Sequence, residues 1–273
     1  MRKILALATA GLLMASAPAR AENGNHTSLP VEIDSHGGVT ISVSVNGAPP
    51  VIFLLDTGTA RTVISQELAA ELTTTVVART EVVTAAGVEA HDVVRLRSLS
   101  VGPMTASGLL APVVPARALT RLGKKVRGLL GSDFLSAFNY TLDYRHRRLS
   151  MDDALACNAP GAVPLTIVEG RPVLEADGEG PLRLVPDTGA EATVLFDDGR
   201  LVRHVMPASI SGVVGTARAG LITISRLRVG SVALRDVAAV IVERKEPAVD
   251  GLMATRQFAS LSFAAGARCM LVR

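Results

Sequence analysis

Tryptophan is absent from the 273-residue sequence, aromatic residues make up 3% of it, and there are two tyrosines and two cysteines. With 48% hydrophobic residues, the core must therefore be built from Val, Leu, Ile and Ala. The shortage of aromatics removes the stacking platforms on which single-stranded nucleic acid is bound. Long apolar runs are missing beyond the N-terminal stretch, so no later segment reads as a membrane-spanning helix. His26, His36, His91, His146 and His204 are scattered, and no His-Glu-x-x-His is found to hold a zinc ion. A Gly-x-Ser-x-Gly elbow is missing, and the glycines from Gly215 to Gly220 lack the Lys-Ser/Thr of a phosphate loop. The sequence thus points to no cofactor and no metal.

Charge of one sign is also missing once the N-terminus is read correctly. Arg2 and Lys3 precede an uncharged apolar stretch from Ile4 to Ala17, and Ala19-Arg20-Ala21 supplies small residues at a cleavage spacing. This pattern predicts a secretory signal over residues 1–21 and an exported chain, periplasmic or secreted. Losing Arg2, Lys3 and Arg20 takes the 28 basic residues to 25, matched by 25 acidic ones. The basic clusters Lys124, Lys125, Arg127 and Arg145, Arg147, Arg148 then read as solvated loops, and no nucleic-acid partner is implied. Export permits a Cys157–Cys269 disulfide, which would clamp the ends of the two halves together. Two cysteines alone leave the pairing open.

What the sequence has is one pattern written twice. Val-rich runs cut by Gly, Pro and Asn favour strands over helices. In the first half Val31-Glu32-Ile33 is followed by a Gly37-Gly38 turn, and Val39 to Val45 alternates as a half-buried strand does. After Asn46-Gly47, the apolar strand Val51 to Leu55 runs into Asp56-Thr57-Gly58-Thr59. In the second half Val163 to Val168, the turn Glu169-Gly170, and Arg171 to Ala176 keep that order. Leu182 to Val185 then leads, through Pro186, into Asp187-Thr188-Gly189-Ala190.

The parallel continues downstream. Thr62-Val63-Ile64 answers Thr193-Val194-Leu195, Leu99 to Gly102 answers Leu227 to Gly230, and Gly128-Leu129-Leu130-Gly131 answers Gly251-Leu252-Met253-Ala254. Leu142 to Met151 answers Leu261 to Val272 as a closing hairpin. Asp152 to Pro164, rich in Ala, Pro, Gly and Asn, reads as a linker. Helix signals are few: Ser65 is placed to cap a short helix through Leu72, and Ser132 to Ala137 reads as a second short turn. The expected fold is mainly β, with two similar lobes over 22–155 and 156–273 related by a pseudo-twofold axis.

Two aspartates at the tips of buried strands suit one chemistry. Carboxyl groups close enough to share a water cannot both ionise, so the pair keeps one proton. One acid then activates the water while the other protonates a scissile carbonyl. Gly58 and Gly189 permit the sharp turns and let backbone N–H groups approach the carboxyls. Thr57 and Thr188 can bridge the loops through their hydroxyls.

These paired motifs resemble the retropepsin/pepsin superfamily of aspartic peptidases, in particular the bacterial retroviral-type proteins. The resemblance covers most of the chain after the signal. It implies two β-barrel lobes in a pepsin-like bilobal arrangement. It also implies endopeptidase activity in the cleft between them, with Asp56 and Asp187 catalytic and a polypeptide as substrate. One chain then suffices as a monomer. By the same resemblance Glu191 would contact the substrate backbone, and the Thr59 hydroxyl would hydrogen-bond the neighbouring aspartate. Hairpins around Ala86-Gly87 and around Gly215 would close over the substrate. No tyrosine lies in either hairpin, and Tyr140 and Tyr144 read as packing residues. Pro186 and Ala254 depart from the pattern in the second half. They leave a second reading open: an exported peptide-binding or interaction protein of the same fold without turnover.

Overall fold

The computed structural model describes residues 27–35, 37–84, 87–120, 122, 125–151, 155–197, 206–211, 216–243 and 248–273. The chain is mainly β: 59% of the described residues are strand and 8% helix. Its strands form three sheets, and two of them repeat one topology.

In the first half, Val51–Leu55 lies parallel to Val126–Leu130. That strand is antiparallel to Val63–Ser65, which is parallel in turn to Leu110–Val114. In the second half, Pro181–Asp187 lies parallel to Gly251–Ala254. Thr193–Asp197 follows antiparallel, then Val232–Glu243 parallel. The strand carrying each Asp-Thr-Gly is therefore interior to its sheet, flanked on both edges. This suits the apolar runs, because a strand covered on both faces has no alternation to show. Phe53, Leu54 and Leu55 are buried, as are Leu184 and Val185. Val39–Val45, the next strand of the first sheet, is buried on one face and alternates as its sequence does.

The third sheet joins the halves. Its order is Ser28–Pro30, Arg148–Met151, Tyr140–Asp143, Ser260–Phe263, Cys269–Val272, Ala162–Pro164. Three strands come from each half, and the central antiparallel pair matches Tyr140 to Phe263 and Leu142 to Leu261. One hydrophobic cluster runs from Val31 to Val272 and draws on both halves, so burial is continuous across the join. Tyr140 stacks on Phe263 across this pair at 5.1 Å.

The short helix is Gln66–Glu71, and the Ser65 hydroxyl accepts from Leu68 N at 3.1 Å as an N-cap. Ser132–Leu135 forms one further turn of helix. A third helix, Ala116–Thr120, carries no sequence signal that separated it from a loop. The strand expected over Val163 to Val168 is two pieces, Ala162–Pro164 and Thr166–Val168, in different sheets. The corner lies at Leu165, whose N–H donates to Arg268 O. The linker expected over Asp152 to Pro164 is accordingly corrected at its end, where Ala162–Pro164 pairs with the closing strand. Cys157 and Cys269 are disulfide-bonded, with Cα atoms 5.6 Å apart. Residues 1–21, expected to be a signal, lie outside the described residues.

Candidate active site

Both Asp-Thr-Gly loops begin where a buried strand runs out of its sheet. Asp56 N donates to Leu130 O at 3.0 Å, the last bond of that parallel ladder. From there the loop folds back on its own carboxyl. Gly58 N and Thr59 N donate to Asp56 Oδ1 at 3.0 and 3.1 Å. In the second loop Gly189 N donates to Asp187 Oδ1 at 2.8 Å, and Ala190 N reaches the same carboxyl.

The loops are then tied to each other reciprocally. Thr57 N donates to Thr188 Oγ1 and Thr188 N to Thr57 Oγ1, each at 3.1 Å. The Thr57 hydroxyl donates to Pro186 O at 2.6 Å, and the Thr188 hydroxyl to Leu55 O at 2.8 Å. Thr57 is 1% exposed and Thr188 is 2% exposed, so each of these donors and acceptors depends on its partner. The glycines make the approach possible. A Cβ on Gly58 would collide with the Asp187 carboxyl, and one on Gly189 would lie 3.0 Å from Asp56 Cγ.

The result is a hydrogen-bonded pair of carboxyls, one from each loop. Burial pushes Asp56 well above the ordinary carboxylate value, and the charge of Asp187 adds to the rise. The N–H groups of Thr59 and Gly58 oppose it. Burial also raises Asp187, opposed by the Gly189 N–H, the hydrogen bond with Asp56, the Ala190 N–H and the Arg171 charge. The two carboxyls therefore share one proton.

Residues 41–134 match the family described as aspartyl protease. The aspartyl protease match spans the first loop and ends at Phe134, behind it. A retropepsin-like aspartic protease from Rickettsia conorii is a similar solved structure, with 20% identity over 46% of this chain and 91% of its own. Its TM-score is 0.35, too low for the overlay to carry an argument. No curated protein matches the sequence.

Of the residues expected in the site, Asp56, Thr57, Gly58, Thr59, Asp187, Thr188, Gly189 and Ala190 come together in the two loops. Glu191 is exposed, just beyond the second loop. The hairpins are formed by Val76–Thr84 with Gly87–Arg95 and by Met206–Ser211 with Thr216–Val229. Gly87 opens its strand opposite Thr84, while Ala86 and Gly215 lie outside the described residues.

The role expected of the Thr59 hydroxyl is corrected. It is the Thr59 N–H that serves Asp56, and the hydroxyl donates to Arg61 O at 3.3 Å. The main-chain donor already occupies that carboxyl oxygen, and the turn brings a carbonyl within reach of the side chain.

The departures in the second half are absorbed. The pairing of Arg171–Asp177 with Pro181–Asp187 runs no further than Leu174 opposite Leu184. Pro186 lies beyond it, so its missing N–H costs that ladder no bond. Its carbonyl, which proline keeps, is what the Thr57 hydroxyl uses. Ala254 N donates to Thr193 Oγ1 at 3.3 Å, as Gly131 N does to Thr62 Oγ1 at 3.2 Å.

Several site residues escaped the sequence reading. Ser132 donates to Thr57 O at 3.0 Å, and Asp133 accepts from both the N–H and the hydroxyl of Thr62 at 2.8 Å. These follow the Gly-Leu-Leu-Gly segment directly, and their proximity to it was the available signal. Arg171 and Tyr144 reach the second loop with no sequence signal.

Proposed function

We propose that the chain is an aspartic endopeptidase in which Asp56 and Asp187 activate one water against a peptide bond. The reading is carried by the hydrogen-bonded carboxyl pair, held by the reciprocal Thr57–Thr188 lock.

The proton distribution supplies the roles. With the shared proton on Asp56, Asp187 takes a proton from the water as the water oxygen attacks the scissile carbonyl carbon. Asp56 gives its proton to the carbonyl oxygen, which leaves a neutral gem-diol. In the second half-reaction the C–N bond breaks and the amine nitrogen takes the proton held by Asp187. A gem-diol hydroxyl returns its proton to Asp56 as the new carboxylic acid forms. The carboxyls regain their starting states, and no metal is required by the sequence of steps.

An extended polypeptide is the substrate that this arrangement favours. The two long hairpins offer backbone with which a substrate strand can pair. The lobes are assigned to 22–155 and 156–273, and since one chain carries both aspartates, a monomer is sufficient. Neither nucleic acid nor a stable membrane contact has a part in the proposal. Export to the periplasm or beyond is supported by the Cys157–Cys269 bond, a linkage that persists in oxidising compartments.

The test is incubation of the purified protein with a mixed peptide library from pH 3 to 8, with and without pepstatin, read by mass spectrometry. Cleavage that pepstatin blocks and that Asp56→Asn and Asp187→Asn each abolish is the expected result. Cleavage that survives in both variants would place the chemistry elsewhere.

A further inference from the structure

The two loops are braced from behind by different means. The first is held by Ser132 and Asp133. Ser132 N donates to Thr59 O at 2.9 Å and Asp133 N to Ala60 O at 3.2 Å, while the Asp133 carboxylate clamps Thr62. In the second half, the offset that relates Gly131 to Ala254 relates Asp133 to Arg256, so the acid is missing. The brace there is Thr255, whose N–H and hydroxyl both donate to Asp187 O at 3.3 Å. These are long bonds to the residue that must be held most closely.

A third group reinforces this brace. The Tyr144 hydroxyl lies 2.7 Å from Thr255 Oγ1. Thr255 is fully buried and has one hydroxyl proton, which goes to Asp187 O. Tyr144 is therefore the donor in the Tyr144–Thr255 bond, and the protons run from Tyr144 to Thr255 to Asp187 O. Burial pushes the Tyr144 phenol up, so this donor keeps its proton at every pH of interest. Tyr144 belongs to the first half of the chain. It follows the strand Tyr140–Asp143, and its N–H donates to Ala259 O at 3.0 Å. The correspondence of Leu142 with Leu261 makes Phe263 the counterpart of Tyr144, and its ring carries no hydroxyl to brace the first loop in the same way.

We infer that Tyr144 is a positioning residue for Asp187: acting through Thr255, it fixes the Asp187 carbonyl and with it the loop that aims the carboxyl at Asp56. The arrangement ties the join between the halves to the one aspartate whose loop lacks an acidic clamp. The catalytic consequence rests on the peptidase reading above; the hold on the loop does not.

The experiment uses Tyr144→Phe, which keeps the ring and removes one donor, together with Thr255→Val and Thr255→Ser. Amide hydrogen exchange is followed by NMR on the intact protein, with peptide cleavage measured in parallel. In Tyr144→Phe the Gly189 and Thr255 amides should exchange about tenfold faster, with Gly58 and Thr59 unchanged and the melting temperature within about 3 °C of wild type. The value of kcat should fall roughly tenfold with KM within about twofold, as expected when a reacting group is misplaced and substrate binding is untouched. Thr255→Val should match or exceed this loss, adding Tyr144→Phe to it should cost little more, and Thr255→Ser should restore most of the rate.

Unchanged exchange at Gly189 and Thr255 in Tyr144→Phe overturns the inference, whatever the cleavage assay gives. So does faster exchange in both loops alike, which would mean general destabilisation. Loosening of the second loop with an unchanged kcat overturns the positioning role. A wild type that cleaves nothing, but whose second loop still loosens selectively, would leave the hold on Asp187 standing and sink the peptidase reading instead.

Discussion

Replacing Thr188 with Val tests how the two loops are held together. The substitution keeps the branched shape and removes one hydroxyl. That hydroxyl donates to Leu55 O at 2.8 Å and accepts from Thr57 N at 3.1 Å. Both partners lie in a buried environment, Thr57 being 1% exposed, so neither finds water when the hydroxyl is gone. An orphaned buried polar group costs about 1–3 kcal/mol, and two are orphaned here, giving a loss of about 4 kcal/mol. For a chain of this size each kcal/mol lowers the melting temperature by about 2–4 °C, so a fall of roughly 8–16 °C is expected. Thr57→Val should cost a similar amount, since it strands Thr188 N and Pro186 O. Thr188→Ser, which keeps the hydroxyl, should cost about 1 kcal/mol through the missing methyl group. Urea unfolding of the three variants measures this directly. A Thr188→Val variant within about 1 kcal/mol of wild type, or no better folded when Ser is used instead, would refute the reciprocal lock.

The disulfide closes a loop of 112 residues, and the chain-entropy model gives its removal a cost of about 5 kcal/mol. Cys157→Ser with Cys269→Ser should therefore lower the unfolding midpoint strongly, and an unchanged midpoint would remove the clamp from the account. Gly131→Ala should destabilise severely, because its Cβ would meet the backbone of Arg61 and Thr62, while Ala254→Gly should be mild; comparable losses in the two would mean the loops are packed alike. Burial raises Asp56 above the unfolded-chain value of about 3.9, so the native state holds this proton to higher pH than the unfolded state does. Its contribution to stability is full below about pH 4 and is lost as the pH rises through the folded value. Asp56→Asn lacks that titration, so between pH 4 and pH 7 its melting temperature should gain on wild type; a gap that stays fixed or moves the other way contradicts the raised value.

What could be read from the sequence was what repeats or alternates locally. The two Asp-Thr-Gly motifs end apolar strands, and the strand order around them is the same in both sheets. Ser65 could be recognised as a cap because capping involves residues three apart. Interactions between distant residues could not be read. The joining sheet pairs Tyr140 with Phe263 and Ser28 with Ser150, contacts that leave no local periodicity. For the same reason Tyr144 looked like packing, since its partner Thr255 lies 111 residues away. Pro186 departs from the pattern in sequence because proline in a strand lacks an N–H. In the fold its carbonyl is the group in use. The partner of the Thr59 hydroxyl is not legible in sequence because a loop offers a side chain several acceptors, and only the turn geometry selects Arg61 O.

The central claim is that Asp56 and Asp187 of one chain act as a single catalytic unit. The direct measurement is the rate of cleavage of one susceptible peptide by wild type, by Asp56→Asn, by Asp187→Asn, and by an equimolar mixture of the two variants. The account predicts that each variant loses at least about a thousandfold in kcat, because residues acting as a unit fail together. It predicts that the mixture stays as inactive as its components. Substantial activity in either variant, or its recovery on mixing, would contradict a dyad formed within one chain.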